Sequence, residues 1–393
     1  MIAALAARYR DLDLAEDAFA EACLRAARTW PERGEPRDAA AWLYRVADRA
    51  ALDMLRRRNT RNRIKPDAPE PVPSAEDIMS DDELRIPDER LRLIFVCCHP
   101  ALSRDARVAL TLRMVCALTT EEIAQAFLVS ATTMAQRIVR AKSKIAEARI
   151  PFEIPGRDAW PARLDSVLST LEVAYASAHA DAAGAGHNAG FATEILELTR
   201  VLVELLPDQD EALALAALVR YAEARRPARL DDTGAMAPLS EQDPAQWNRP
   251  LIDQAEDYLR RAADLGPSGP RTLQAAIHSA WCARRTVMDP LPWRIVLSLY
   301  DALLMLRDDP IVRLNRAVAL AEIDGPEAAL SDVDALDGAL LADFPPYHAV
   351  RADLLARLGR RAEARAAYDA VMSLPAPPAE QLWLERKRSA LAV

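Results

Sequence analysis

Residues 118–145 read LTTEEIAQAFLVSATTMAQRIVRAKSKI and contain the start signals of two short amphipathic helices. Thr119 is a good N-cap, and Glu122 three residues later completes a capping box. After a short turn over 128–130, Ser130 can cap the second helix. The apolar residues of this second helix keep helical spacing and form its expected buried stripe: Met134, Ile138, Ala141 and Ile145. The stretch therefore predicts a pair of capped helices.

The opposite face of the second predicted helix is polar and basic. It carries Thr133, Gln136, Arg137, Arg140 and Lys144. Such a helix can enter a major groove and offer long donors to bases and phosphates, so the pattern indicates a helix-turn-helix. The alternative is an ordinary helical hairpin with a solvated basic face, since capped helix pairs are common in all-helical proteins. One feature favours this alternative, because the turn has Leu128 where many such turns have glycine.

The composition favours an all-α protein of two or three domains. The chain has 393 residues, about half of them hydrophobic, and only 11 glycines, while strand-like runs are almost absent. No apolar run reaches the length of a membrane span, and the N-terminus lacks the layout of a signal peptide. Five cysteines suggest reduced thiols in a cytoplasmic protein rather than a disulfide framework.

Charge is distributed unevenly along the chain, whose net charge is −9. Residues 1–150 contain 25 Lys and Arg against 23 Asp and Glu, whereas residues 151–393 contain 25 against 36. The basic residues of the first part are also clustered. This distribution is typical of a nucleic-acid footprint within a protein that is acidic overall.

Residues 11–28 predict an amphipathic helix whose first half is acidic. Its carboxylates are Asp13, Glu16, Asp17 and Glu21. Negative charge is favourable near a helix N-terminus, and this effect alone would be enough to explain them.

Residues 38–58 predict another helix, separated from the first by a break at Pro31, Gly34 and Pro36. It ends in a strongly basic run: Arg56, Arg57, Arg58, Arg61, Arg63 and Lys65. Cations complement the C-terminal end of a helix dipole. Six of them within ten residues exceed what a cap requires, and a phosphate backbone is a plausible partner.

Residues 66–89 begin with four prolines and continue with a cluster of carboxylates. This composition predicts an extended acidic linker between two small domains, the alternative being a passive tether. Helix resumes over 90–117, where Ser103 is the expected cap of a helix running to Cys116. The cluster Cys97-Cys98-His99 could suggest a metal site, but a thiol pair packed in a helical core is the better interpretation, because no second ligand pair has finger spacing.

Three of these motifs, in this order, resemble an extracytoplasmic-function (ECF) sigma factor over about the first 150 residues. Residues 13–25 are similar to the helix of sigma domain 2 that docks on RNA polymerase, and residues 41–58 to the segment that recognises and melts the −10 promoter element. Residues 118–145 resemble the helix-turn-helix of sigma domain 4, which reads the −35 element. The family normally has another helical turn before the position of Met1, so either the start is shortened here or the true start codon lies upstream.

This resemblance implies roles for three sets of side chains and two partners, core RNA polymerase and promoter DNA. The expected contacts to core polymerase are Asp13, Glu16, Asp17 and Glu21. The expected neighbours of the −10 strand are Trp42, Arg45, Arg49, Arg56 and Arg57. The expected contacts to the −35 duplex are Thr132, Thr133, Gln136, Arg137 and Arg140. The linker carboxylates would run through the RNA path and imitate a nucleic acid strand. The expected domains are sigma domain 2 over 1–65, the linker over 66–89, sigma domain 4 over 90–150 and an extension over 151–393.

The extension predicts a series of helices that stack as a TPR-like solenoid. The expected helices cover 191–206, 208–225, 249–264, 270–285, 292–306, 310–323, 326–336, 346–358 and 361–373. Two segments match when Glu327-Ala328 is laid on Glu363-Ala364, an offset of 36 residues that is close to the tetratricopeptide period of about 34. The whole architecture resembles an ECF subgroup in which such an extension takes the place of a separate anti-sigma factor, binding a regulatory protein or ligand. The alternative is a stabilising appendage without regulatory role.

The chain shows no constellation typical of an enzyme and none that predicts a cofactor. Its five histidines are scattered, and it has neither a phosphate-binding glycine loop nor a nucleophile elbow. We therefore expect a bacterial sigma factor that binds without bond chemistry, whose acidic extension covers the basic faces in the free protein. Two alternatives remain at this point: a TPR-like scaffold or adaptor without promoter function, and a helix-turn-helix repressor that acts without polymerase.

Overall fold

The computed structural model describes residues 1–62, 93–115, 118–127, 129–150, 160–180, 189–339 and 341–391. The predicted acidic linker at 66–89 lies outside these residues. Within them the chain is helical and contains no strand, apart from one isolated antiparallel bridge between Leu230 and Met236. The all-α prediction is therefore confirmed. The chain forms two compact units, Met1–Ser177 and Ala178–Val393, which we call unit 1 and unit 2.

Unit 1 contains seven helices that are described from end to end, and residues 93–97 are also helical. The seven helices are α1 Ile2–Tyr9, α2 Leu12–Arg33, α3 Ala39–Asn62, α4 Arg104–Met114, α5 Thr120–Ala126, α6 Ala131–Glu147 and α7 Trp160–Ala180. The predicted break at Pro31, Gly34 and Pro36 begins too early, because α2 continues through Pro31 to Arg33. Its C-cap is Gly34, whose φ of 79° suits glycine.

Helices α2 and α3 pack closely because small residues meet at their contact. Leu14 and Ala18 of α2 are buried against Ala50 and Ala51 of α3. The side chain of Asp11 caps α2 by accepting a hydrogen bond from the Leu14 backbone N–H at 3.0 Å. This packing leaves the polar faces of both helices toward solvent.

The segment before α4 is built around buried sulfur. Cys97 and Cys98 are both buried, and the Cys98 Sγ lies 3.5 Å from the Thr111 Oγ1. The His99 Nδ1 accepts a hydrogen bond from the Ala101 backbone N–H at 3.1 Å. Across the ranges described above, the structure contains no group of three His, Cys, Asp or Glu side chains suited to a metal ion. The cysteine pair therefore packs as a helical-core element.

Unit 2 contains ten helices within its described residues. They are α8 Ala189–Leu205, α9 Asp210–Ala224, α10 Arg249–Asp264, α11 Pro270–Cys282, α12 Trp293–Leu306, α13 Pro310–Ile323, α14 Pro326–Asp334, α15 Pro345–Arg357, α16 Arg361–Met372 and α17 Pro378–Ala390. Each helix packs against the next along the chain, and α9 also contacts α11, as α13 contacts α15. The predicted series corresponds to α8 to α16 with shifts of a few residues at the ends.

The last helix of unit 2 also contacts a segment far from it in sequence. The Met236 backbone N–H donates to the Ala379 carbonyl at 2.9 Å, and the Arg386 guanidinium forms an ion pair with Asp231 at 2.7 Å. These bonds join α17 to the connection between α9 and α10. Helix α17 was not among the predicted helices, because it buries only Ala379 and Leu384 and so has little apolar periodicity.

Candidate nucleic-acid interface

The second helix of the predicted pair begins and orients as the sequence indicates. The Ser130 Oγ accepts a hydrogen bond from the Thr133 backbone N–H at 3.1 Å, which caps α6. The buried residues of α6 are Met134, Ile138, Ala141 and Ile145, the predicted stripe. Because this stripe packs against the unit, the opposite face of α6 is turned outward.

The turn between α5 and α6 is closed by backbone hydrogen bonds rather than by a glycine. The Phe127 N–H donates to the Ile123 carbonyl at 3.1 Å, and the Val129 N–H reaches the Ala124 carbonyl at 3.0 Å. These bonds satisfy carbonyls that the end of α5 would otherwise leave unpaired. The predicted capping-box side chain of Glu122, like Leu128 itself, lies outside the described residues.

The outward face of α6 presents the five residues predicted to meet duplex DNA. Thr132, Thr133, Gln136 and Arg140 are exposed. The Thr133 hydroxyl also lies 2.8 Å from the Ser130 Oγ. Arg137 is half-buried and forms an ion pair with Asp105 at 3.7 Å. A surface pair of this kind contributes about 0–1 kcal/mol, so a phosphate can replace it at little cost.

The predicted −10 face of α3 consists mainly of exposed arginines. Those described as exposed are Arg45, Arg49, Arg56 and Arg57. Trp42 instead is half-buried, and its ring packs edge-on against Trp30 with centroids 5.5 Å apart. Arg63 and Lys65, the last cations of the basic run, lie outside the described residues. Helix α3 thus carries a row of long donors next to an aromatic pair.

The predicted acidic set on α2 is divided between solvent and protein. Asp17 is exposed, and Glu21 pairs with Arg25 on its own helix at 2.9 Å. Asp13 and Glu16 instead meet cations from the part of unit 1 beyond residue 100. The Lys142 Nζ donates to the Asp13 Oδ1 at 2.8 Å and also to Glu16.

A second cation, Arg113 of α4, approaches the same carboxylate, and its Nε donates to the Glu16 Oε1. Burial by itself lowers the pKa of Lys142, but the hydrogen bonds to Asp13 and Glu16 outweigh it and raise that pKa above its ordinary value. No sequence pattern predicts Lys142 or Arg113 as partners of α2, because they lie 126 and 97 residues away from Glu16. Lys142 is distinguished only by its position beside the buried Ala141.

These side chains can bind and orient nucleic acid, since they offer cations, amide and hydroxyl donors on capped helices. Among the residues described, no helix has both the length and the apolar character needed to cross a membrane.

Unit 2 contains a cavity of about 500 Å³ between α12, α13 and α14 that is lined by charged side chains. Arg316 lines it and forms ion pairs with Asp301 at 2.6 Å and Asp332 at 2.8 Å.

Comparison with known families identifies three segments. Residues 1–61 match the family model described as sigma-70 region 2, and residues 92–145 match sigma-70, region 4. Residues 163–263 match a family of unknown function, DUF6596.

One relative is similar to this chain over almost its whole length. The uncharacterized protein R00370 of Rhizobium meliloti (strain 1021) is 38% identical over 395 residues, which cover 99% of this chain and 92% of that protein. No solved structure matches the chain. Since α1 to α3 fall within the region 2 match and the capped pair α5–α6 within the region 4 match, the chain belongs to the sigma-70 family of RNA polymerase sigma factors and shares the family of R00370.

Proposed function

We propose that this sigma factor is of the ECF type and directs core RNA polymerase to a dedicated set of promoters, while its C-terminal extension regulates that activity in the cytoplasm. The observation that carries the proposal is α6, a capped helix with a buried apolar stripe and an outward face of hydroxyl, amide and guanidinium donors. It lies in the segment that matches region 4. The activity is one of binding and positioning, without bond chemistry.

The −35 element is read from the outward face of α6. Thr132 and Thr133 occupy the first turn, where recognition helices reach base edges, and the helix N-terminus favours a nearby phosphate. Gln136 and Arg140 follow one and two turns later on the same face, so their longer side chains reach further along the groove. Arg137 leaves Asp105 and takes a phosphate in the complex.

The −10 element is captured on α3. Arg45 and Arg49 are four residues apart and therefore share one face, and Arg56 and Arg57 extend it toward the helix end. These cations neutralise the backbone of the melted strand. Trp42, braced by Trp30, offers an aromatic surface on which an unstacked base can rest.

Core polymerase is contacted through the acidic side chains of α2, namely Asp13, Glu16, Asp17 and Glu21. Asp13 and Asp17 are exposed and one turn apart, so both can meet a basic surface at once. The acidic linker over 66–89 follows the RNA path and imitates a nucleic acid strand. Sigma domain 2 then covers 1–65 and sigma domain 4 covers 90–150.

The extension over 151–393 is a TPR-like module that regulates access to the promoter-binding parts. The serial packing of α8 to α17 and the repeat offset of 36 residues support this interpretation. Its charged cavity beside Arg316 offers a place for a regulatory protein or ligand. The first described helix after residue 151, α7, contacts the segment before α4, because the Ser166 hydroxyl donates to the Cys98 carbonyl at 3.0 Å. Unit 1 accordingly runs to Ser177.

The test is run-off transcription with purified core polymerase on the DNA upstream of the protein's own gene. We expect a transcript that requires the full chain and disappears with Arg137→Ala or Arg140→Ala. Arg260→Ala, at an exposed position of unit 2, is the matched control and should leave the transcript unchanged. A core-polymerase pull-down accompanies the assay. A chain that neither binds core nor supports transcription would overturn the proposal in favour of a TPR-like scaffold.

A further inference from the structure

Two cations from the region 4 segment enclose two carboxylates of the region 2 segment. The Lys142 side chain is only 9% exposed, and it donates to Asp13 at 2.8 Å and to Glu16. The Arg113 Nε donates to the other oxygen of Glu16, while its Nη1 donates to the Leu118 carbonyl at 3.0 Å. Glu16 itself is 14% exposed, so this carboxylate is largely withdrawn from water.

This cluster differs in kind from an ordinary surface ion pair. On the same helix, Arg25 and Glu21 are 50% and 39% exposed, and such pairs contribute little. Lys142 and Glu16 are largely withdrawn from water, so removing one of them leaves the other with one partner fewer at a place where water cannot fully replace it. Arg113 is further held by the turn that leads into α5, which fixes its direction. The arrangement therefore opposes separation of the two segments.

The enclosed carboxylates belong to the set assigned to core polymerase above. Because Glu16 is only 14% exposed beneath Lys142 and Arg113, a basic surface of the polymerase cannot reach it while these two cations are in place. We propose that Lys142 and Arg113 form a latch on Asp13 and Glu16, which holds regions 2 and 4 together in the free chain and competes with core polymerase. This inference rests on the proposed role of the α2 carboxylates.

The latch has a thermodynamic consequence for polymerase binding. If only the opened form exposes Glu16, the apparent dissociation constant for core equals the intrinsic one divided by the opened fraction. Weakening the latch raises that fraction and tightens apparent binding, although no residue that touches polymerase has changed. A basic polymerase surface is the chemistry that displaces Lys142 and Arg113, because it offers the carboxylates equivalent donors.

The first measurement follows the separation of the region 2 and region 4 segments in the absence of polymerase. Spin labels are placed at Cys23, which is exposed on α2, and at Glu147→Cys near the end of α6, in the full-length chain with Cys116→Ser. The remaining described cysteines, Cys97, Cys98 and Cys282, are buried. Double electron–electron resonance then reports the distance between the two segments.

The second measurement is the affinity of the same proteins for core polymerase. Lys142→Gln and Arg113→Gln each remove one cation of the latch. Arg104→Gln removes the same charge from an exposed position of α4 and is the matched control. We expect both latch variants to broaden the distance distribution and to bind core about 10-fold more tightly, the change expected when the opened fraction rises about 10-fold. The control should match the wild type in both measurements.

The outcomes separate the latch from the function on which it rests. An unchanged distance distribution in both variants overturns the latch, as does a broadened one with unchanged core affinity. If the wild-type chain and all variants fail to bind core, the proposed function itself has failed. If Lys142→Gln loses its helical circular dichroism, two other variants still test the latch: Arg113→Gln, and Asp13→Asn on the exposed side of the cluster. For Asp13→Asn only the distance between the labels is compared with the wild type.

Discussion

Arginine serves two different purposes in the two units. In unit 2 several arginines form ion pairs with carboxylates of neighbouring helices, as Arg357 does with Glu322 and Arg351 with Asp334, each at 2.7 Å. In unit 1 the arginines of α3 and α6 predicted to meet DNA are mainly exposed. The difference follows from the charge distribution, because residues 151–393 supply 36 acidic residues for 25 basic ones. An arginine beside a carboxylate stabilises the fold, whereas we propose that the outward arginines of α3 and α6 bind phosphates.

Arg220, a buried arginine of unit 2, has a purely structural role. Arg220 is 4% exposed, and its guanidinium donates to the Ala216 carbonyl at 3.0 Å and the Thr199 hydroxyl at 3.2 Å. It also lies 4.7 Å from the ring centroid of Tyr258. Such a residue organises α8, α9 and α10 around one planar group.

The largest effect is expected when the outward arginines of α6 are removed, and it should appear in DNA binding. The double variant Arg137→Ala/Arg140→Ala should weaken binding to promoter duplex at least about 100-fold and reduce the salt dependence, since each lost contact costs about 1–3 kcal/mol. Thermal stability should hardly change, because Arg140 is exposed and the half-buried Arg137 forms only a surface ion pair with Asp105. Fluorescence anisotropy at several salt concentrations measures the first effect. Unaltered affinity would show that these arginines resemble those of unit 2.

A similarly large effect, on stability alone, is expected for Arg220→Ala. The change leaves Thr199 and Gln254 without their partner inside the unit and should cost about 2–4 kcal/mol of unfolding free energy. Arg220→Lys should recover only part of it, because a single ammonium cannot reproduce the guanidinium fork. Urea unfolding measures the loss of unfolding free energy, and hydrogen exchange shows whether it is located in α8 to α10. Promoter binding by the folded fraction serves as the control.

A smaller stability effect is expected at the charged cavity of unit 2. Arg316→Ala removes two ion pairs whose partners are about half exposed, and should cost about 1 kcal/mol or less. The loss should shrink as salt is added, since exposed charges are screened. A cost well above that of Arg220→Ala would contradict the ranking by burial. The measurement is a pair of thermal melts at low and high ionic strength.

A smaller effect still is expected from pH in unit 1. Burial, with the nearby charges of Arg163 and Arg107, lowers the pKa of His99 below its ordinary value. As pH falls below about 6.5, the unfolded chain takes up a proton that the folded chain binds less readily, so the folded state loses a little stability as the pH is lowered. Hydrogen exchange over residues 93–115 should show this decline, and His99→Gln should flatten it. An opposite slope would mean that the folded imidazole is protonated.

Local features of this structure were predictable from the sequence, and distant ones were not. The Ser130 cap and the stripe from Met134 to Ile145 follow from spacing within one helix, and the structure confirms both. The predicted break at Pro31 was a local error, since α2 tolerates this proline in its last turn and continues to Arg33. Lys142, Arg113 and Arg220 escaped prediction because their partners lie on other helices. Periodicity reports which face is buried but not which charge it meets.

The bonds that join α17 to the connection between α9 and α10 affect the order in which unit 2 can mature. A simple repeat array folds by adding one neighbour at a time, but the pair Arg386–Asp231 spans 155 residues. Closing so long a loop requires nearly the whole of unit 2 to be present. During synthesis, the promoter-binding helices therefore leave the ribosome and fold well before this closure can form. A nascent chain therefore passes through an interval in which the helices of regions 2 and 4 are complete but unit 2 has not yet closed.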